Sequence, residues 1–161
     1  MVHPYDANDR PNVPVKPPIM LAALLMAGVG MEFVWPAFGG MFLWGADGLL
    51  IGVVLVVVGV LIASTAMRSF IAAGTTVLPD KPNTAFVKGG VYKYSRNPMY
   101  IGLILIYLGL AAALGSVWAL VLAPLFIAYL RYFAVSREEA YLKRRFGEPY
   151  IAYMRRVPRW F

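Results

Sequence analysis

Cysteine is absent from the 161-residue chain, histidine occurs once, and only 14% of the residues are charged. Without cysteine there can be no disulfide framework, no thiolate metal site and no cysteine nucleophile. The lone histidine, His3, sits in a polar N-terminal stretch where solvation is the expected reading, and no zinc or haem centre can be assembled from so thin a set of ligands. The shortage of charge, against about a quarter of residues in ordinary globular domains, accompanies 60% apolar residues. A chain this small cannot hide so much apolar surface from water, so lipid must be its solvent.

Residues 1–18 contain acids and five prolines where a signal peptide would place a basic run followed directly by an apolar one. They read as an extended, mobile arm ahead of a single domain spanning 19–161. Four apolar runs follow, at 19–38, 49–66, 99–114 and 117–135, each near the roughly 20 residues that cross about 30 Å of hydrocarbon. The first is interrupted by Glu32, which reads as an interfacial acid rather than one paired inside a bundle. Gly115 and Ser116 alone separate the last two runs, which predicts a tight helical hairpin. Gly48, Gly52 and Gly59 offer small-residue faces for close helix contact.

Every lysine and arginine lies before the first run, between the second and third, or, like Arg131, in the last turns of the fourth and beyond it. With an even number of spans these positions share one side, which the positive-inside rule makes cytoplasmic; the expected setting is a bacterial inner membrane. The formal net charge of +7 is thereby spread along membrane borders, so anionic lipid headgroups are the expected electrostatic partner. No nucleic-acid motif accompanies it. The fold expected is an all-α integral membrane protein of about four transmembrane helices, with a cytoplasmic loop and a C-terminal amphipathic helix forming the site.

The outer connections are too short to build a site, so chemistry is expected on the loop 69–98 and the tail 136–161. The loop ends in Gly89, Gly90, Tyr92, Tyr94, Arg96, Asn97, Pro98, Met99, Tyr100 and Gly102. Glycine admits close backbone approach, arginine offers a planar fork for carboxylates, and tyrosine gives a stacking face with a hydroxyl. The same segment reads equally as an interfacial loop with snorkelling side chains. In the tail, residues 136–146 read as a helix with Tyr141, Leu142 and Phe146 on one side and Lys143, Arg144 and Arg145 on the other. That is the pattern of a helix lying on anionic lipid. Glu138 and Glu139 fit that account poorly, and suit a cationic or amine-bearing ligand better.

Together the two motifs resemble the isoprenylcysteine carboxyl methyltransferase family, which is related to the phospholipid N-methyltransferases. Its pattern is Gly-x-Tyr-x-x-x-Arg-His-Pro-x-Tyr-x-Gly, an apolar hairpin, then Glu-Glu-x-x-Leu and Phe-Gly-x-x-Tyr-x-x-Tyr. This chain supplies Gly90, Tyr92, Arg96, Pro98, Tyr100 and Gly102, then Glu138, Glu139, Leu142, Phe146, Gly147, Tyr150 and Tyr153. The resemblance implies an S-adenosylmethionine-dependent methyltransferase whose cofactor-binding half is about 77–161. It places cofactor contacts at Thr84, Ala85, Phe86, Val87, Tyr92, Arg96, Asn97, Pro98, Met99, Tyr100 and Glu138. The acceptor it implies is lipophilic, either a carboxylate of the isoprenylcysteine type or a lipid amine, entering from the bilayer.

Asn97 stands where the pattern has histidine, and Thr84 where the eukaryotic prenylcysteine enzymes have another. An amide still donates and accepts hydrogen bonds, but cannot take up a proton. Ala134 occupies the position of the arginine that meets the substrate carboxylate in those enzymes. Arg131, three residues earlier on the same helical face, is the expected substitute, or else a snorkelling anchor. For an amine acceptor, Glu139 is the nearest base. A sterol-reductase-like enzyme binding a nicotinamide dinucleotide and a non-catalytic membrane scaffold are the alternatives.

Overall fold

The computed structural model describes residues 11–36, 45–75 and 86–160, and among these every regular element is helical. Helix α1 spans Pro17–Val34, opening with proline at its first turn, where the missing N–H costs nothing. Helix α2 spans Gly45–Ala72, α3 Pro98–Ala113 and α4 Val117–Tyr129. A π-helical segment, Leu130–Val135, carries α4 without a break into α5, Ser136–Phe146; α6, Glu148–Arg156, follows. A single 3₁₀ turn, Gly90–Lys93, precedes α3. Three stretches, Pro17–Val34, Gly45–Ala72 and Val117–Phe146, are long and apolar enough to cross a membrane, and α3 is a shorter apolar helix. Met26, Phe33 and Leu61 are exposed, an arrangement that lipid, but not water, accommodates.

The helix bounds depart from the apolar runs mainly in the first two helices. The first helix stops at Val34, ahead of Pro36, and the rest of that run, 37–38, lies outside the described residues. The second begins four residues ahead of the apolar run and continues six past it; near its polar end the hydroxyls of Thr65 and Ser69 donate back to the carbonyls of Ile62 and Thr65 at 2.8 and 3.0 Å. Helix α5 keeps the bounds expected for it, with Tyr141 buried and Lys143 and Arg144 exposed.

Glycine pairs set the frame. A Cβ on Gly52 would stand 2.5 Å from the Gly109 carbonyl oxygen, and one on Gly59 2.7 Å from that of Gly102. The reverse distances are as short, 2.7 and 2.6 Å. Antiparallel α2 and α3 thus touch backbone to backbone at two points, each seven residues apart along its helix. Gly28 does the same for α1 against the backbone of Ala119 on α4, at 2.5 Å. In lipid, where apolar burial gives no drive between helices, such close approach is a main source of packing energy.

Two expectations are corrected. Glu32 is not interfacial: it is 2% exposed and its Oε2 accepts from the Ser116 hydroxyl and the Trp118 amide, both at 3.4 Å. It therefore lies at the start of α4, where unpaired N–H groups and the helix dipole favour an anion. Nor is the whole arm loose. Residues 1–10 and their His3 lie outside the described residues, but Val15 donates its N–H to the Tyr129 hydroxyl at 3.2 Å, and that hydroxyl donates to the Val15 carbonyl. Arg137 Nη1 donates to the Asn12 carbonyl. Val13 and Val15 pack on the main core, beside Leu21 and Phe126.

Candidate active site

The polar pocket lies where α2 ends and α3 begins. Phe70 comes from the last turn of α2, Phe86 and Val87 from the loop, and Tyr92 from the 3₁₀ turn. Arg96, Asn97, Met99 and Tyr100 line it around the start of α3, and Glu138, Glu139 and Leu142 from α5. Tyr150 and Tyr153 of α6 close it.

An aromatic cluster makes one wall. Phe86 meets Phe146, Tyr150 and Tyr153 with ring centroids 5.3, 5.7 and 5.8 Å apart, and Phe70 packs edge-on to Tyr92 at 5.5 Å. The Tyr153 hydroxyl donates to the Tyr92 carbonyl at 2.7 Å, tying α6 to the 3₁₀ turn. Gly147 makes the bend between α5 and α6 at φ +58° and ψ −135°, which a side chain would strain. Burial is the first cause that pushes the phenols of Tyr92 and Tyr150 well up; Glu138 adds to it at both, Glu139 adds to it at Tyr150, and Arg96 opposes it there. Tyr153 is pushed up to about 12 by burial, again against Arg96. At neutral pH all three remain protonated hydrogen-bond donors.

The two carboxylates have separate roles. Glu138 accepts from the Tyr100 hydroxyl at 3.0 Å. Glu139, 4% exposed, is gripped by two arginines. Arg159 Nε and Nη2 donate to its two oxygens at 3.2 and 2.6 Å, a bidentate pair, and Arg96 Nη1 lies 2.9 Å from Oε1. That approach is poorly angled, so buried Nε and Nη1 of Arg96 retain unmade hydrogen bonds, a costly state that an incoming acceptor group would relieve.

A backbone latch completes the site. The Arg96 amide donates to the Pro158 carbonyl at 3.0 Å, while the Asn97 side-chain amide and the Ser95 hydroxyl donate to the Arg159 carbonyl at 2.9 and 3.3 Å. Asn97, standing at the histidine position, thus uses its amide to fasten the C-terminal segment.

Of the site residues expected from the sequence, Phe86, Val87, Tyr92, Arg96, Asn97, Met99, Tyr100, Glu138 and Glu139 come together in this pocket. Pro98 opens α3, buried beside it. Thr84 and Ala85 lie outside the described residues. Arg131 is not at the site. It is exposed, its guanidinium lying over the Tyr132 ring at 5.6 Å, while Ala134 is fully buried. The shared face assumed α-helical winding, but both residues sit in the π segment, whose wider turn separates them. Glu139 is at the site, yet both its oxygens are engaged by cations, which does not suit a proton acceptor. Phe70 and Arg159 were not expected. Phe70 follows an apolar run too closely to stand out, and Arg159 is one of several tail cations.

A second, apolar groove of about 450 Å³ adjoins the pocket and shares Phe70, Met99, Tyr100 and Glu138 with it. Its other walls come from the arm and the start of α1, from Val60 to Met67 on α2, and from Leu103 and Ile106 on α3.

The profile of the phospholipid methyltransferase family matches residues 48–149, which hold the glycine frame and most of the pocket. An uncharacterized protein of Haemophilus influenzae is 39% identical over 62 residues, 38% of this chain and 98% of its own. The protein-S-isoprenylcysteine O-methyltransferase of Schizosaccharomyces pombe is 35% identical over 72 residues, 45% of this chain but 30% of that enzyme. No solved structure matches. A membrane-embedded helical bundle with this profile over more than half its length is a membrane methyltransferase, and the chain belongs to the phospholipid methyltransferase family.

Proposed function

We propose that the protein transfers a methyl group from S-adenosylmethionine to a lipophilic acceptor that enters from the bilayer, the cofactor being held on the cytoplasmic side. The observation that carries this reading is the meeting of the two cavities: a polar pocket and an apolar groove share Tyr100, Glu138, Met99 and Phe70. A two-substrate enzyme with one polar and one lipophilic reactant needs such a junction.

The donors and acceptors fit the cofactor. Glu138 would accept from its ammonium, the unsatisfied Nε and Nη1 of Arg96 would donate to its carboxylate, and the Phe86 cluster offers faces to its adenine. When bound, S-adenosylmethionine supplies an electrophilic methyl group on a sulfonium, which leaves as a neutral thioether when the acceptor's lone pair takes the carbon. The protein's contribution is alignment and exclusion of water. Tyr100 anchors Glu138, and the Arg96–Glu139–Arg159 triad fixes the loop against the tail.

Since Glu139 is occupied by two guanidinium groups, the arrangement favours an acceptor that needs no base, an ionised carboxylate of the isoprenylcysteine type, over a lipid amine. The test is calorimetric titration of the purified protein with S-adenosylhomocysteine, and with NADPH in parallel, repeated on Glu138→Ala. Saturable binding of the former, lost in the variant, is the expected result. Binding of NADPH alone would move the protein to the reductases, and binding of neither would make it a scaffold.

A further inference from the structure

The apolar groove has one wall that the family profile does not reach. Its α2 and α3 walls and Glu138 fall within the matched residues 48–149, whereas Pro11, Val13, Lys16, Pro17 and Pro18 fall outside them. That wall is held from afar. The Tyr129 hydroxyl, 114 residues along the chain, both accepts the Val15 N–H and donates to the Val15 carbonyl. Arg137 reaches Asn12 from the first turn of α5. Tyr129 is itself 9% exposed, in the core with Phe126 and Leu130, and stacks on Phe133 with centroids 5.7 Å apart. A buried phenol that satisfies both backbone groups of one residue in a proline-rich arm is a fastening, not a chance contact.

We infer that this arm is the selectivity wall of the acceptor groove, and that Tyr129 is the positioning residue that keeps it closed around a single apolar chain. The inference rests on the acceptor reading above and deepens it by naming the acceptor's shape. The 450 Å³ groove falls toward the lower part of the range of sites that take one drug-sized ligand, about 300–1,000 Å³. That suits one chain of an amphiphile better than both chains of a diacyl lipid. The arm contributes its prolines to this wall, whose fixed φ resists the adaptation that a flexible arm would permit.

The absence of cysteine permits an unambiguous test. Ser64, on the α2 wall, is replaced as Ser64→Cys and labelled with bimane in the full chain in detergent. Brominated palmitate and a brominated diacyl phosphatidylcholine are then compared as quenchers. In the parent the single-chain probe quenches at the lower concentration. Tyr129→Phe removes both hydrogen bonds and keeps the ring. Each such bond contributes on the order of 1 kcal/mol, so the preference should relax roughly fivefold or more toward the two-chain lipid. Where Tyr129→Phe lowers the yield of folded protein, Val15→Pro removes the N–H partner from the arm's side. An unchanged preference in a folded variant overturns the inference, and so does a relaxed preference accompanied by lost S-adenosylhomocysteine binding, since the effect would then not be confined to the groove. Failure of the parent to bind S-adenosylhomocysteine would instead sink the methyltransferase reading, while quenching would still report the wall.

Discussion

Replacing Glu139 with glutamine separates two roles that a buried acid at the site could play. The substitution keeps the shape and removes the charge that both Arg96 and Arg159 face. The side chains of Arg96 and Glu139 are 11% and 6% exposed, and that of Arg159 is 33% exposed. Breaking a fully buried pair costs about 3–5 kcal/mol. With Arg159 one-third in solvent, screening reduces this, and about 2–3 kcal/mol is expected. For a chain of this size that lowers the melting temperature by roughly 5–10 °C. Because the triad binds the loop to the tail, the affinity for S-adenosylhomocysteine should fall in the same variant. Differential scanning fluorimetry and calorimetry, read together, test this. Glu139→Gln with an unchanged melting temperature and unchanged affinity, but no turnover, would refute the argument and make Glu139 the base it does not resemble. Arg159→Ala should cost less, and the double variant less than the sum of the two, since the residues act as one network.

Glu138 makes a pH prediction. Binding the cofactor's ammonium requires the ionised form, so affinity for S-adenosylhomocysteine should weaken as pH falls into the range where carboxylates titrate; Glu138→Gln should bind weakly and without that dependence. At the helix contact, Gly109→Ala would set a Cβ 2.7 Å from the Gly52 carbonyl oxygen, and overpacking of about 1–3 kcal/mol should appear as a lower unfolding midpoint in detergent. Gly30→Ala, which meets no atom within 4 Å, is its control. Glu32→Gln retains the acceptor at Ser116 and Trp118 and loses the charge at the start of α4, for a loss of about 1 kcal/mol by the same assay.

What could be read from the sequence was whatever repeats along the chain. Apolar runs located the helices, and the polar-apolar alternation of 136–146 located α5 to the residue. Glycines on α2 stood out as a packing face, but their partners Gly102 and Gly109 did not, because pairing between helices leaves no local mark. Arg131 was misplaced because periodicity presumes one helical winding, and a π segment changes it. Glu32 and Tyr129 were hidden for a simpler reason: the partners that define them lie 84 and 114 residues away. The loop and tail motifs did mark the pocket, since nine of the expected side chains line it. The triad could not be read, because Arg159 differs in nothing local from its neighbouring cations.

The two glycine contacts between α2 and α3 also work as a length gauge. Gly59 is pinned against Gly102, and Phe70 stands eleven residues further along the same helix, in the wall of the pocket. At 1.5 Å and about 100° per residue, one residue inserted between them would lift Phe70 by about 1.5 Å and swing it about 100° away from Tyr92. The span would still cross the bilayer and the glycines would still mesh. The distance from the glycine contact to the pocket is therefore counted in residues, and evolution can lengthen this helix at its Gly45 end far more freely than at the other.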